Sequence, residues 1–446
     1  MKKTVRFEKS LKNYLKSLKT DGITPGLLLG QSSSDHDFVV HLARTPIPKE
    51  NSCTEICHLK QIQNLKEEWI IDHMRNVIQM LPGGMTILGL FFVGDVNLFS
   101  NSTAVACLKK ILGAVDKFVQ ENEYYFIELK LTPKLVLNCI EDTNFICKQF
   151  STSQSGQLDS VDCVWNCNDW HRISCYYDFQ HLLPLYVKSI SNVILHEKIM
   201  DILKYVSKSV KESILLLNGE LKNQMDLIKN IKEKVNERIV QNATESEAPS
   251  QIVADLYAPC GKQFSHEVFE VCDYNAELKC FGTLCSDVYL HNEATVHEAI
   301  RAIKEDIIRS LYSRLMMHCN SLMEDLSTTS AEESKIIHEP PRRVSVYLPH
   351  SKVRFTDYLF PGEDTLGTLP AKEQLDIPAS NDQQILYESL EVETDAAEFY
   401  NGDSVINAIS QTTEVKKNHL QYILSFGIIF SIIIVVIAIL YQRLRL

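Results

Sequence analysis

Several features that mark common enzyme classes are missing from this chain of 446 residues. No glycine-rich loop ending in lysine is present to cradle a phosphate, since Pro82-Gly83-Gly84 lacks both the lysine and the spacing. No nucleophile elbow occurs. None of the 14 histidines forms an i, i+4 pair with a glutamate base between them. Positive charge is also short: 45 Lys and Arg face 57 Asp and Glu, a net charge of −12 that argues against nucleic acid and against a surface adhering to acidic lipid. An apolar leader is missing too, because Met1-Lys2-Lys3-Thr4-Val5-Arg6 is followed by a stretch charged throughout. Finally there is no disulfide framework. Thirteen cysteines are an odd number, scattered in the manner of a reduced compartment. The pairs Cys53/Cys57 (with His58) and Cys163/Cys167 (with His171 and Cys175) have gaps of three rather than two and lie far apart, so they read as free thiols rather than zinc knuckles. No metal or cofactor is expected.

What is present is concentrated at the C-terminus. From Tyr422 to Tyr441 the sequence carries no charged side chain, and Ile423, Phe426, Ile429, Ile433, Val436 and Ile439 lie in an almost wholly aliphatic run. Twenty residues at about 1.5 Å each give a helix of roughly 30 Å, the thickness of a bilayer's hydrocarbon core. A core helix of that length would show a polar face, and this one has none. The run predicts a single-pass membrane anchor over 420–441 with a short tail, 442–446. The N-terminal part is expected to face the cytosol. Lys416 and Lys417 before the span and Arg443 and Arg445 after it leave orientation undecided by charge.

The remainder predicts a mixed α/β (α+β) fold in two regions, 1–150 and 151–361, followed by an acidic flexible linker, 362–419. In the first region a short basic helix carries Leu11, Leu15 and Leu18. Strands follow around Gly26–Gly30 and Phe38–Leu42, then a helix from Leu65 to Met80 stopped by Pro82-Gly83-Gly84. Met85 to Val93 is apolar throughout, as in a strand covered on both faces. Ala104, Leu108, Ile111, Leu112, Val115 and Phe118 repeat at helical spacing. Strands near Leu135–Ile140 and Phe145–Phe150 complete the region, and Ser151–Ser160 reads as a loop or a boundary. The second region alternates strands with helices over Ile199–Leu221 and Thr295–Leu326, with a flexible insertion at Gln241–Ser250 and a closing hairpin over Val344–Leu348 and Val353–Tyr358. Beyond Gly362 acidic residues dominate and apolar ones thin out, the composition of a leash. Its islands Ile385-Leu386-Tyr387 and Phe399-Tyr400 read equally as short binding motifs or as incidental linker residues.

Gly26 to Gln31, Asp37 to Val40 and Ala43-Arg44-Thr45-Pro46 resemble the odorant response abnormal protein 4 family, as do Glu67-Glu68-Trp69, Met80 to Gly84 with Leu88-Gly89, and Leu216 to Gly219. The resemblance implies a membrane-anchored protein of the endoplasmic reticulum that supports maturation and trafficking of a subset of G-protein-coupled receptors, odorant receptors among them. It implies a partner as well, the protease specific for the ubiquitin-fold modifier, held at that membrane. The order helix, strand, strand, helix, Pro-Gly, buried strand is similar to the MPN fold of metal-dependent deubiquitinases. On that resemblance the zinc-ligand positions fall on Phe92, Gly94 and Val105, which offer no lone pair, so an inactive MPN-like domain working as a scaffold is expected. A membrane-anchored cysteine-dependent hydrolase is the alternative, since triad members meet only in the fold.

Overall fold

A computed structural model describes residues 3–18, 22–46, 61–127, 134–140, 144–151, 157–185, 192–231, 252–258, 276–328, 340–348, 351–360, 363, 370–377, 387–389 and 391. The chain divides into two units, Met1–Val392 and Glu393–Leu446, and every described residue belongs to the first. The run from Tyr422 to Tyr441 therefore lies outside the described residues. Among those described, no helix is long and apolar enough to cross a membrane.

Seven strands form one closed sheet: β1 (Thr4–Glu8), β2 (Thr24–Ser32), β3 (His36–Arg44), β4 (Thr86–Gly94), β5 (Lys134–Ile140), β6 (Asn144–Ser151) and β7 (Gln157–Asn166), in the order β1-β3-β2-β4-β5-β6-β7. Parallel pairing of β1 with β7, Val5 opposite Cys163 and Phe7 opposite Trp165, shuts the ring. The sheet thus runs past the boundary expected at residue 150, because Gln157–Ser160 pairs with β6 rather than forming a loop. Val5, Phe7, Leu28, Val39, Phe91 and Leu137 fill the interior. A short helix, α1 (Leu11–Ser17), adds Leu11 and Leu15 to the same cluster. On the outer face Leu27, Leu29, Ile87, Leu90 and Phe92 meet α2 (Glu67–Gln79) and α3 (Ser102–Glu121).

β4 explains its own apolar run. Leu88, Phe91 and Val93 point into the ring, whereas Ile87, Leu90 and Phe92 point to the helices. The two-residue alternation changes phase at Leu88–Gly89, where the register against β2 also shifts. This is a β-bulge, one extra residue that re-aims everything after it. An added Cβ at Gly89 would stand 1.9 Å from the Leu135 carbonyl oxygen, so the close approach of β5 admits only glycine there. At the start of α3, the Asn101 side chain accepts from the Thr103 amide at 2.9 Å and from Ala104 at 3.5 Å, the expected N-cap.

A second sheet has the order β11-β8-β10-β9, built from β8 (Trp170–Leu185), β9 (Ile214–Leu217), β10 (Ile252–Tyr257) and β11 (Ala276–His291). Two long helices, α4 (Asn192–Glu212) and α5 (Val296–Thr328), pack on it through Leu203, Val206, Ile303 and Ile307 against Ile173 and Leu284. β12 (Arg342–Val346) lies between β13 (Phe355–Leu359) and β14 (Tyr387–Ser389), antiparallel to both.

Two further sequence expectations need correction. The helix expected to reach Leu221 ends at Glu212, and Ile214–Leu217 is an edge strand paired with β10. The Ser213 hydroxyl closes the helix on the Val210 carbonyl at 2.6 Å. Asn218 and Gly219 then take positive φ angles of 51° and 74°, and the amides of Leu217 and Glu220 each donate to the other's carbonyl. That is an Asn-Gly hairpin turn, which the aliphatic periodicity of the helix concealed. The second correction concerns the expected leash. Residues 370–377 form α6 (Pro370–Gln374) and a following turn, with Ala371, Leu375 and Ile377 buried; β14 joins a sheet, and Glu391 is buried as well. Polar anchoring overrides the acidic composition. His41 and His73 each bond through Nε2 to a main-chain carbonyl, of Leu375 and Gln374 respectively, at 2.8 Å. Asp376 takes the Tyr14 hydroxyl at 2.6 Å and Arg44 at 3.0 Å.

Candidate functional site

The three expected zinc positions are occupied by structural residues. Phe92 is fully buried under α2 and α3. Gly94 closes β4, where a Cβ would come within 3.0 Å of the Gly22 carbonyl oxygen. Val105 sits in the first turn of α3 with its amide donating to the Asn101 carbonyl at 2.9 Å. The anchor positions Tyr422, Ile423, Phe426, Ile429, Ile433, Val436, Ile439 and Tyr441 lie outside the described residues.

Charge is gathered elsewhere, where β11, β12 and α5 meet. Asp306, fully buried on α5, accepts from Arg343 Nη1 at 2.7 Å, from Arg343 Nη2 and Arg309 Nη2 at 3.1 Å each, and from the Ser286 hydroxyl at 2.7 Å. Burial pushes its carboxyl up, but Arg343 and Arg309 outweigh that and hold it below the usual range. Burial likewise pulls the Arg343 guanidinium down, and Asp306 more than restores it. Arg309 also donates to the carbonyls of Leu81, Pro82 and Met85 at 2.9–3.0 Å, so the Pro-Gly turn after α2 is fastened to α5. Beside this group Glu391 receives Arg314 at 2.9 and 3.1 Å and the main-chain amides of Cys285 and Arg343 at 2.8 Å each. One residue from the end of the first unit therefore satisfies donors on three other elements.

Next to this ionic junction lies an open concavity of about 750 Å³. Its floor includes Thr86, Phe126, His291 and Arg309, and Gln31 holds its shape by bonding to the carbonyls of Gly84 and Tyr289 (3.0 Å each) and to the His291 amide at 2.8 Å. Thr295 and Glu298 form a reciprocal cap at the start of α5 on its wall. Sequence reading missed this place because its members come from β2, β4, β11 and α5 with no local spacing to mark them. The signals available were Pro82-Gly83-Gly84 and the Thr295-to-Glu298 capping box.

Among the described cysteines, most of the shifted thiols are pushed up. Burial pushes the thiols of Cys175 and Cys285 up to about 12, which leaves them protonated at neutral pH, and raises Cys319 too. Cys147 and Cys163 share a thiol–thiol hydrogen bond that raises Cys147 and lowers Cys163. Among the described residues, no three His, Cys, Asp or Glu side chains are grouped so as to hold a metal ion. The arrangement offers binding surface and a rigid junction.

The sequence profile of the Odorant response abnormal 4-like (ODR4-like) family matches residues 26–383. The chain belongs to the ODR4-like family. Among its relatives, a human protein odr-4 homolog is 28% identical over 382 residues, covering 81% of this chain and 80% of that protein. The odorant response abnormal protein 4 of Caenorhabditis elegans is 24% identical over 385 residues, covering 80% and 73%. A crystal structure of UfSP from C. elegans overlays with a TM-score of 0.40 at 10% identity, covering 80% of this chain and 52% of that one. At that score the likeness carries no weight for fold or function. The matched region includes β3 to β7, Asp306, Arg309 and Arg343 of the ionic junction, and α6, while β1, β14 and Glu391 lie outside it.

Proposed function

We propose that this ODR4-like protein is a non-catalytic, membrane-anchored adaptor that supports maturation and trafficking of a subset of G-protein-coupled receptors. Membership of the family carries this reading: its founding names describe an odorant response. The uncharged run from Tyr422 to Tyr441 supports a membrane anchor, and the family resemblance implies that the membrane is that of the endoplasmic reticulum, with the N-terminal part in the cytosol. The partner is a protease of the ubiquitin-fold-modifier pathway, confined by the adaptor to the membrane where receptors are made. Tethering raises the effective concentration of such a partner toward membrane substrates without new contacts. The MPN-like reading of the first region agrees with this role, since Phe92, Gly94 and Val105 stand where zinc ligands would be needed.

Cell fractionation tests it. The full chain should pellet with membranes after a salt wash, and a chain ending before Tyr422 should move to the soluble fraction. Continued pelleting of the truncated chain would sink the anchor. Proximity labelling from the N-terminus should recover the protease from the full chain and not from unrelated tail-anchored proteins.

A further inference from the structure

The chain carries a net charge of −12, yet one groove on the first unit is lined with lysine. It is a hollow of about 360 Å³ between α4 and the segment that leaves α3. Lys204, Ser207, Lys208 and Lys211 line it from α4, and Tyr124 and Ile127 line it from the other side. The four α4 positions are spaced i, i+3, i+4 and i+7, which places them on one face of the helix. All three lysines are exposed. Lys204 meets Asp201 at 3.1 Å, whereas Lys208 and Lys211 have no acidic partner among the described residues. At the same end of α4 the Lys304 amine donates to the carbonyls of Lys211 and Ser213 at 2.8 and 2.7 Å, which adds a fourth positive charge.

Ser207 is only 6% exposed and lines the same hollow. A serine inside a helix either turns back on the carbonyl four residues earlier or points outward. The Ser207 hydroxyl has no hydrogen-bond partner, and it is not among the orphan atoms sealed from solvent. Buried polar groups are nearly always satisfied, so a group entering the groove completes it. The lysines follow one another along roughly 10 Å of helix, a line of charge rather than a ring around one point. A line suits a chain carrying several carboxylates better than a single phosphate. A flat anionic membrane fits poorly, because the site is concave and Glu123 and Glu212 also line it. We propose that this groove binds an acidic peptide segment of a partner protein. Carboxylates of the peptide meet the lysines, a peptide oxygen accepts from Ser207, and Tyr124 and Ile127 receive an apolar side chain. The proposal goes beyond the adaptor reading and rests on it only for the source of the peptide.

Fluorescence anisotropy of the full chain in uncharged detergent micelles, with a short labelled peptide alternating Glu and Ser, tests it. The wild-type protein should bind this peptide and should fail to bind the same peptide with Gln in place of Glu. Lys208→Glu should weaken binding roughly tenfold, about 1.4 kcal/mol. Ser207→Ala, which removes only the hydroxyl, should weaken it severalfold. Lys109→Glu, the same charge reversal at an exposed position of α3 outside the groove, should leave binding unchanged. Equal binding of the Gln peptide, equal loss in Lys109→Glu and Lys208→Glu, or no binding by folded wild-type protein would each overturn the proposal. So would displacement of the peptide by phosphatidylserine added to the micelles, which would assign the lysines to the membrane. Because the peptide is free in solution, these outcomes are independent of the fractionation result that tests the anchor.

Discussion

The interior of the closed sheet and the junction between sheets solve the same problem with opposite chemistry. Inside the ring, Val5, Phe7, Leu28, Phe91 and Leu137 exclude water by shape and size alone. At the junction, Arg343 and Asp306 are as deeply buried, at 1% and 0% exposed, yet both are charged. A non-directional apolar core tolerates small rearrangement. A buried ion pair tolerates little, since removing one partner strands the other without solvent. The ring therefore sets how stable the first unit is. The junction sets which surfaces of α5, β12 and the Pro-Gly turn may meet.

The largest effect should come from stranding a charge. Asp306→Ala leaves Arg343 without its carboxylate and should cost about 3–5 kcal/mol in urea unfolding. The double replacement Asp306→Leu with Arg343→Met should recover only part of that loss, because Arg309 still lacks its carboxylate. Full recovery would show that the Asp306–Arg309 contact adds little to stability. Phe91→Ala, the matching change inside the ring, should cost about 3–4 kcal/mol through the cavity it opens. No compensating polar change should rescue it.

A pH effect of similar kind follows from His73. It is 3% exposed, and burial lowers its pKa to about 4 despite the Gln374 carbonyl and the charge of Asp376. A depressed histidine contributes stability that is present above its unfolded value near 6.5 and is lost as pH falls toward 4. Between pH 7 and pH 5 the His73-dependent loss should reach about 2 kcal/mol, and His73→Gln should flatten that part of the profile. Asp357 runs the other way. Burial raises its carboxyl to about 6 despite the Tyr358 and Ala371 amides, so its share of stability declines as pH rises from about 4 through 6. The smallest effect is local: Asn101→Ala removes the cap of α3 and should cost about 1 kcal/mol, readable as a small drop in thermal midpoint.

How much of this was legible in sequence depended on the range of the cause. α2, β4 and α3 were visible because their patterns are local: a helical stripe ending in Pro82-Gly83-Gly84, and a run apolar on both faces. The bulge inside β4 was not, since Gly89 is explained only by the Leu135 carbonyl of a neighbouring strand. Ile214–Leu217 continued a helical aliphatic repeat, and only Asn218-Gly219 betrayed the turn. Glu391 looked like one acid among many in a leash. Its partner Arg314 lies 77 residues away, and no composition argument reaches that far. The concavity was invisible for the same reason.

Ring closure has a consequence for synthesis. β1 emerges first, but its partner β7 ends at Asn166, and the two must pair in parallel to seal the sheet. Until that strand leaves the ribosome, β1 and β6 each present an open edge, and exposed edges invite pairing with other chains. Translation supplies on the order of 5–20 residues per second, so this vulnerable interval lasts on the order of ten seconds or more for every new copy. A slow stretch of translation before Gln157 should lengthen it and promote aggregation of the nascent chain, while one placed far enough after Asn166 for β7 to have cleared the ribosome should do no such harm.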